Sequence, residues 1–269
     1  MNSILSCPVC KGRLVREEKR YACSAGHSFD IARQGYVNLL VGKDAGNHGD
    51  NALMIAARTR FLSRGYYAPL AEALYAAILR HAPKRGVLLD IGCGEGYYTE
   101  YAARAMDAQG GSVFAFDISK DALKAASHRK CATLFAASAY TIPVQSESAD
   151  VATLLFSPFC REEILRALKP SGIFLMAYPG ERHLWGLKQA LYDTPYLNRP
   201  EDTKIDGFAL IEKINICARI TLPDRESIED LFKMTPYYYK TGEKDKAKLS
   251  LLSSLETEVA FHLCIYRKL

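Results

Sequence analysis

Apolar residues change their spacing along this chain, and each change predicts a different kind of structure. Over the first forty positions they are few and interrupted (Val9, Leu14, Tyr21, Phe29, Ile31), too sparse to form a core alone. Leu53, Met54, Ala57, Phe61 and Leu62 then recur at helical intervals behind Asp50 and Asn51, either of which caps a helix well. Leu70, Leu74, Tyr75, Ile78 and Leu79 predict a second helix over 68–81. From Gly86 onward short apolar runs alternate with helix-like segments, the rhythm of a parallel sheet, with strands expected at 87–91, 113–116, 133–135, 151–156 and 173–178. Lys169-Pro170-Ser171-Gly172 is expected to stop one helix and turn into the next strand, and alternation around Val259, Phe261, Leu263 and Ile265 predicts a last strand. The glycine-rich, polar stretch 42–51 reads as a linker, dividing the chain into a small module, 1–41, and an α/β domain, 52–269.

Composition narrows the class. A chain of 269 residues that is 49% hydrophobic can bury a full core, and no run of about 18 apolar residues or basic-then-apolar leader is present. The expected setting is cytoplasmic, away from membranes. The net charge of +5 is unevenly spread: seven Lys/Arg against three acids between Met1 and Lys43 leave +4 there. Of the eight cysteines, five are scattered singly (Cys93, Cys131, Cys160, Cys217, Cys264) and read as reduced thiols rather than a disulfide framework.

The other three fall into a pattern. Cys7-x-x-Cys10 is followed after twelve residues by Cys23-x-x-x-His27, two short-spaced pairs that turns can present to one tetrahedral zinc ion. Four protein ligands leave no open position, so the expected site is structural, and zinc supplies ~10 kcal/mol or more to small folds that lack a core.

In the larger part, an apolar strand ends in Asp90 and runs into Gly92-Cys93-Gly94-Glu95-Gly96, with glycine at every second position. Glycine suits a bend against which a ligand lies without a β-carbon in the way. The spacing differs from the Gly-x-Gly-x-x-Gly of dinucleotide sites and resembles motif I of the Rossmann-like, class I S-adenosylmethionine-dependent methyltransferases. Asp117, about twenty residues on, is placed to accept ribose hydroxyls, although it would also cap a helix.

Taken together, Cys7 to His27, Gly35-Tyr36-Val37-Asn38-Leu39-Leu40, Gly49-Asp50 with Ala57-Arg58, Gly65-Tyr66-Tyr67, the Asp90–Thr99 loop and Pro179-Gly180-x-Arg182-His183-Leu184 resemble the RlmA family of large-subunit ribosomal RNA guanine-N1 methyltransferases over almost the full length. The resemblance implies methyl transfer to guanine N1 in a hairpin loop of 23S RNA. It also implies contacts to S-adenosylmethionine from Tyr67, Asp90, Gly92, Gly94, Glu95, Gly96, Asp117 and His183, and places 137–139 beside the adenine. The wording at Gly49-Asp50-Asn51 and Gly65-Tyr66-Tyr67 is similar to the branch associated with tylosin-type macrolide resistance. Taken alone, Tyr67 would be an amphipathic helix-start residue and His183 a helix-capping or core-edge histidine. Ser157 and Phe159, after the fourth strand of the domain, are expected to border the target base, with Phe159 either stacking on it or filling the core edge. No residue stands out as the proton acceptor. Arg13, Arg16, Lys19 and Arg20 are the candidate phosphate grip, and a second copy of the chain is a candidate partner. A small-molecule methyltransferase with a structural zinc hairpin, or a non-catalytic S-adenosylmethionine-binding assembly factor, are the alternatives to a ribosomal RNA methyltransferase.

Overall fold

A computed structural model describes residues 3–41 and 49–269, so most of the expected linker lies outside the described residues. The small sheet is antiparallel, formed by β1 (Val15–Arg16), β2 (Arg20–Ala22) and β3 (Ser28–Asp30). The large sheet collects β4 (Tyr36–Asn38), β5 (Val87–Ile91), β6 (Ser112–Asp117), β7 (Thr133–Ala136), β8 (Ala149–Leu155), β9 (Leu168–Pro179), β10 (Phe208–Leu222) and β11 (Leu255–Lys268). Its order is β10-β11-β9-β8-β5-β6-β7-β4, with only the pairings of β11 antiparallel. The helices are α1 (Ala52–Ser63), α2 (Ala68–His81), α3 (Tyr97–Asp107), α4 (Lys120–Ser127), α5 (Arg161–Ala167), α6 (Trp185–Leu191), α7 (Arg225–Lys233), α8 (Tyr237–Lys240) and α9 (Glu243–Leu249). All eight cysteines are free thiols, and among the described residues no helix is long and apolar enough to cross a membrane.

The central strands are buried on both faces because crossovers of one hand lay helices against them. From β5 to β6 to β7 the chain advances in one direction, so α3 and α4 fall on the same face, where Leu123, Ala126 and Met106 join Leu88, Val113 and Leu134 in one core. The step from β7 to β8 contains no helix, and the opposite face needs another cover. The N-terminal module provides it. Ile4, Leu5, Leu14 and Tyr21 are buried against Phe114, Phe116, Phe135 and Val144. Backbone bonds tie the edge of the module to the segment after β7: the Ser6 amide donates to the Pro143 carbonyl at 2.9 Å and the Gln145 amide to Ile4 at 2.8 Å.

Several expectations are corrected. The module's apolar residues, too sparse for a core of their own, share that of the sheet, and β4, placed in the module by a boundary at residue 41, is the edge strand beside β7. Helix α1 does open at Asn51, whose side chain accepts from the Met54 amide at 3.1 Å, but Leu53 points to solvent at 78% exposure. The Lys169–Gly172 turn is a bulge inside β9, since Leu168 pairs with Ala149 while Ile173 already pairs with Val151. The fifteen-residue β10 and helices α7 to α9 were not expected at all.

Helix α1 is held to α7 by Arg60, which donates to Asp230 through Nε at 2.9 Å and Nη2 at 2.6 Å. Asp230 is buried, so removing its partner strands a charge. Arg60→Ala is expected to cost about 2–3 kcal/mol in urea denaturation, whereas Arg80→Ala, at an exposed pair with Glu212, should cost under about 1 kcal/mol.

Candidate active site and metal centre

The chain enters the run of parallel strands at their middle, in β5, passes outward through β6 and β7, and returns on the other side as β8 and β9. Such a reversal opens a crevice beyond the carboxyl ends of the two central strands. A cavity of about 780 Å³ lies there, lined by Asp90 and Gly92 to Glu95 after β5, Asp117 and Ile118 after β6, Phe156 to Pro158 after β8, and His183 after β9.

The glycine bend is shaped by its neighbours. Gly92 has φ +70°, and a β-carbon there would fall 2.3 Å from Cβ of Ser157. Ser157 is held in place by donating to the Ile91 carbonyl at 2.8 Å. Asp90 lines the cavity but spends its carboxylate on bracing: Oδ1 accepts from Thr153 at 2.7 Å and Oδ2 from Thr99 at 2.6 Å. Burial pushes its carboxyl up, and the two hydroxyls oppose that. Asp117 accepts from the Gly94 amide (2.8 Å) and the Ser119 amide (2.8 Å), so it locks the bend to β6. Its carboxyl is pushed up by burial and by the charge of Asp50, against the pull of those amides.

Two polar atoms in the cavity have no partner among the described residues. Glu95, 2% exposed, gives Oε2 to Arg129 at 2.6 Å, while Oε1 is buried and unbonded, as is the hydroxyl of Tyr98. A buried carboxylate oxygen left unpaired is costly unless a ligand supplies a donor. Arg58 stands over the same bend, paired to Asp50 at 2.5 Å. Both residues belong to the Gly49-Asp50 and Ala57-Arg58 stretches that carry the family resemblance, but sequence reading assigned them no part in the site.

Tyr67 and His183 come together at the cavity floor, hydroxyl to Nε2 at 3.3 Å, with Phe261 against both rings. His183 Nδ1 accepts from the Ala260 amide at 3.2 Å. Burial, reinforced by the charge of Lys188, lowers the imidazole to about 3, so it is neutral at working pH.

Two expected residues lie elsewhere. Phe159 does not border the cavity; its ring, more than a third exposed, stacks at 6.1 Å on Phe174, which belongs to the core under the opposite face. The aromatic that reaches the cavity is Phe156, half exposed and with φ +62°. Ser138 is buried outside the lining, and Ile118 is the apolar residue at that end. Residues that sequence reading missed close the far side: Tyr196, Asn198, Tyr237 and Tyr239, all from the segments after α6 and α7.

In the module, two turns face each other. The Lys11 amide donates to the Cys7 carbonyl at 2.8 Å, and the Gly26 amide to the Cys23 carbonyl at 3.0 Å. The ligand atoms of Cys7, Cys10, Cys23 and His27 lie within 4.8 Å of one another. Burial raises the Cys23 thiol, but hydrogen bonds from His27 and Cys10 outweigh it and hold the group at about 6, which favours the thiolate that a metal needs. Three sulfurs and one imidazole fit a closed tetrahedral zinc site. Arg13, just before β1 and bridged to Ser6, and Arg16, Lys19 and Arg20, on β1, β2 and their turn, are all exposed, Arg20 paired with Glu17 at 2.5 Å.

Fold, bend and orphaned cavity groups define a class I S-adenosylmethionine-dependent methyltransferase with an appended zinc ribbon. Residues 5–43 match the family model described as the RlmA N-terminal zinc ribbon, and 89–176 match a methyltransferase domain model. The chain is 36% identical over 193 residues to the 23S rRNA (guanine(748)-N(1))-methyltransferase of Streptomyces fradiae, covering 70% of this chain and 67% of that protein. It is 31% identical over 274 residues to YxjB of Bacillus subtilis (strain 168), assigned as a 23S rRNA (guanine-N1)-methyltransferase, covering 95% of this chain and 93% of that one. A Micromonospora griseorubida protein of the same assignment is 36% identical over 201 residues, 67% of each chain. The chain belongs to the RlmA family. It takes S-adenosylmethionine and one zinc ion as cofactors.

Gly92→Ala is expected to weaken S-adenosylmethionine binding by about a hundredfold or more in calorimetry, with zinc content unchanged, because the substitution both strains the backbone and strikes Ser157. His183 generates a second expectation. Its folded pKa is depressed, so below about 6.5 the unfolded chain takes up a proton that the folded one refuses; stability is present above that pH and lost as pH falls towards 3. Between pH 6.5 and 5 the wild type should lose about 2 kcal/mol more than His183→Gln.

Proposed function

We propose that this protein methylates N1 of a guanine in a hairpin loop of large-subunit ribosomal RNA. The observation that supports it most is a similarity running over almost the whole chain, zinc ribbon included, to proteins named for that reaction. The guanine in the name of the Streptomyces fradiae relative, guanine 748, is the one to examine first, and it carries the reading that the chain acts in tylosin-type macrolide resistance.

In this reading the residues divide the work. When bound, S-adenosylmethionine supplies an electrophilic methyl group on a sulfonium. Gly92, Gly94 and Gly96 let it lie against the backbone, Asp117 accepts from ribose hydroxyls, and Asp90 keeps the bend in shape. Glu95 Oε1 and the Tyr98 hydroxyl, unpartnered and buried, receive its polar groups, and Tyr67 with His183 closes the floor. Methyl transfer is an in-line displacement, so the chief task is to bring the nitrogen up to the methyl carbon with the axis aligned. The base must leave its stack to reach the cavity, which costs least in a loop. Arg13, Arg16, Lys19 and Arg20 grip phosphates, and the zinc site keeps the strands bearing them in register. Ser157 shapes the bend rather than meeting the base, because its hydroxyl is already committed to Ile91.

The test is incubation of zinc-loaded protein with labelled S-adenosylmethionine and unmodified 23S RNA, read as label incorporation and a reverse-transcription stop one nucleotide before a loop guanine. Label on a small metabolite with none on RNA would sink the proposal. Replacing the four basic residues by Ala should weaken RNA binding and flatten the slope of log affinity against log salt by about 3.

A further inference from the structure

Beside the glycine bend the cavity is walled by rings: Phe156, Tyr196 and Tyr239, each about half exposed or more, with Tyr237 and Phe261 among them. Aromatic faces at the mouth of a site suit a splayed-out base. Behind this wall lies an unusual charge. Lys188, on α6, is fully buried. Its ammonium donates to the Tyr196 carbonyl at 3.0 Å and to Asn198 Oδ1 at 2.6 Å, and stands 4.6 Å from the centre of the Tyr196 ring and 5.7 Å from that of Tyr237.

No carboxylate lies within ion-pair reach of it among the described residues. The acids and bases on the surrounding elements are otherwise engaged or neutral. On the segment after α6, Asp193 is bound to Lys248; on α9, Glu243 holds Lys246 and Asp245 holds Lys248; on β11, Glu258 holds Arg182. His183 is neutral, burial keeps Tyr237 an un-ionised phenol at working pH, and Lys240 on α8 adds positive charge. Burial lowers the Lys188 ammonium from its usual value. A neutral chain of the same length would fill this space without that penalty, so the charge itself calls for a use.

Guanine N1 offers one. It carries a proton near neutral pH and has no free lone pair until that proton leaves. We propose that Lys188 is a positioning residue with two effects: it pins the Tyr196–Asn198 wall, through Asn198 Nδ2 donating to the Gly180 carbonyl at 2.8 Å, and it places a fixed positive charge behind the acceptor base that makes N1 more acidic. The N1 proton passes to solvent, the electron pair it leaves forms the nitrogen–methyl bond, and the sulfur–methyl bond breaks with its pair retained on sulfur. A unit charge acting over about 10 Å at an effective dielectric of about 20 shifts an ionisation by about one pH unit.

This inference rests on the guanine-N1 reading above. Its test is single-turnover methylation of 23S RNA by the zinc-loaded full chain from pH 6 to 9.5. The wild-type rate should rise with pH to a plateau. Lys188→Met should move the midpoint up by about one unit, losing about tenfold at neutral pH and recovering at alkaline pH, with S-adenosylmethionine affinity unchanged. Lys188→Arg should return the midpoint to the wild-type position whatever its plateau. If Lys188→Met fails to bind S-adenosylmethionine, Lys188→Gln, which keeps a donor for the Tyr196 carbonyl, carries the same expectation. A loss by one constant factor at every pH, an unaltered profile, or an Arg variant with the displaced midpoint would each overturn the role. Absence of N1 methylation by the wild type would instead end the reading beneath it.

Discussion

A parallel sheet must be covered on both faces, and crossovers of a single hand cover only the side towards which each advance turns. In this chain α3 and α4 occupy one face over β5, β6 and β7, while the link from β7 to β8 leaves the other bare. The zinc ribbon lies over it, with Leu5, Leu14 and Tyr21 set among Phe114, Phe116 and Phe135. Each part therefore completes the other. The ribbon is too small to bury its own apolar residues, and the sheet lacks a helix at that place. The basic residues on β1 and β2 are fixed to the body that holds the cavity, not hung from it on a tether.

The acids around the bend illustrate how one residue type takes different duties by position. Asp90 accepts two threonine hydroxyls and holds the strand end; Asp117 accepts two amides and ties the bend to the neighbouring strand; Glu95 keeps one buried oxygen free. Only the last has a buried oxygen with no partner among the described residues. A carboxylate preceding a glycine-rich turn thus has a scaffold reason to be there, quite apart from any ligand contact.

Features set by local order were legible in the sequence. Helix α2 occupies the expected 68–81, the cores of β5 to β9 fall at the apolar runs, and the four metal ligands converge as their spacing requires. The alternation of Ile214, Ile216, Ala218 and Ile220 with Lys213, Asn215, Cys217 and Arg219 is as clear as that of the last strand, so β10 could have been found. Other features depend on the backbone in ways that composition does not carry. Counting alternate residues past β8 sends Phe159 towards the cavity, but Phe156 adopts a left-handed conformation, parity breaks there, and Phe159 turns to the far side. The walls supplied by Tyr196 and Tyr239 come from segments distant in sequence, as does the cover for the sparse apolar residues of the ribbon.

The Ala260 amide has a consequence reaching beyond its own strand. Because it donates to Nδ1 of His183, that nitrogen is bare, and a neutral imidazole must carry its hydrogen on Nε2. Nε2 then donates to the Tyr67 oxygen, which leaves the phenolic hydrogen without an acceptor among the described residues. A main-chain group on β11 thereby sets the polarity of a hydroxyl two links away, so that Tyr67 meets whatever enters the cavity as a giver of a hydrogen bond and not as a taker.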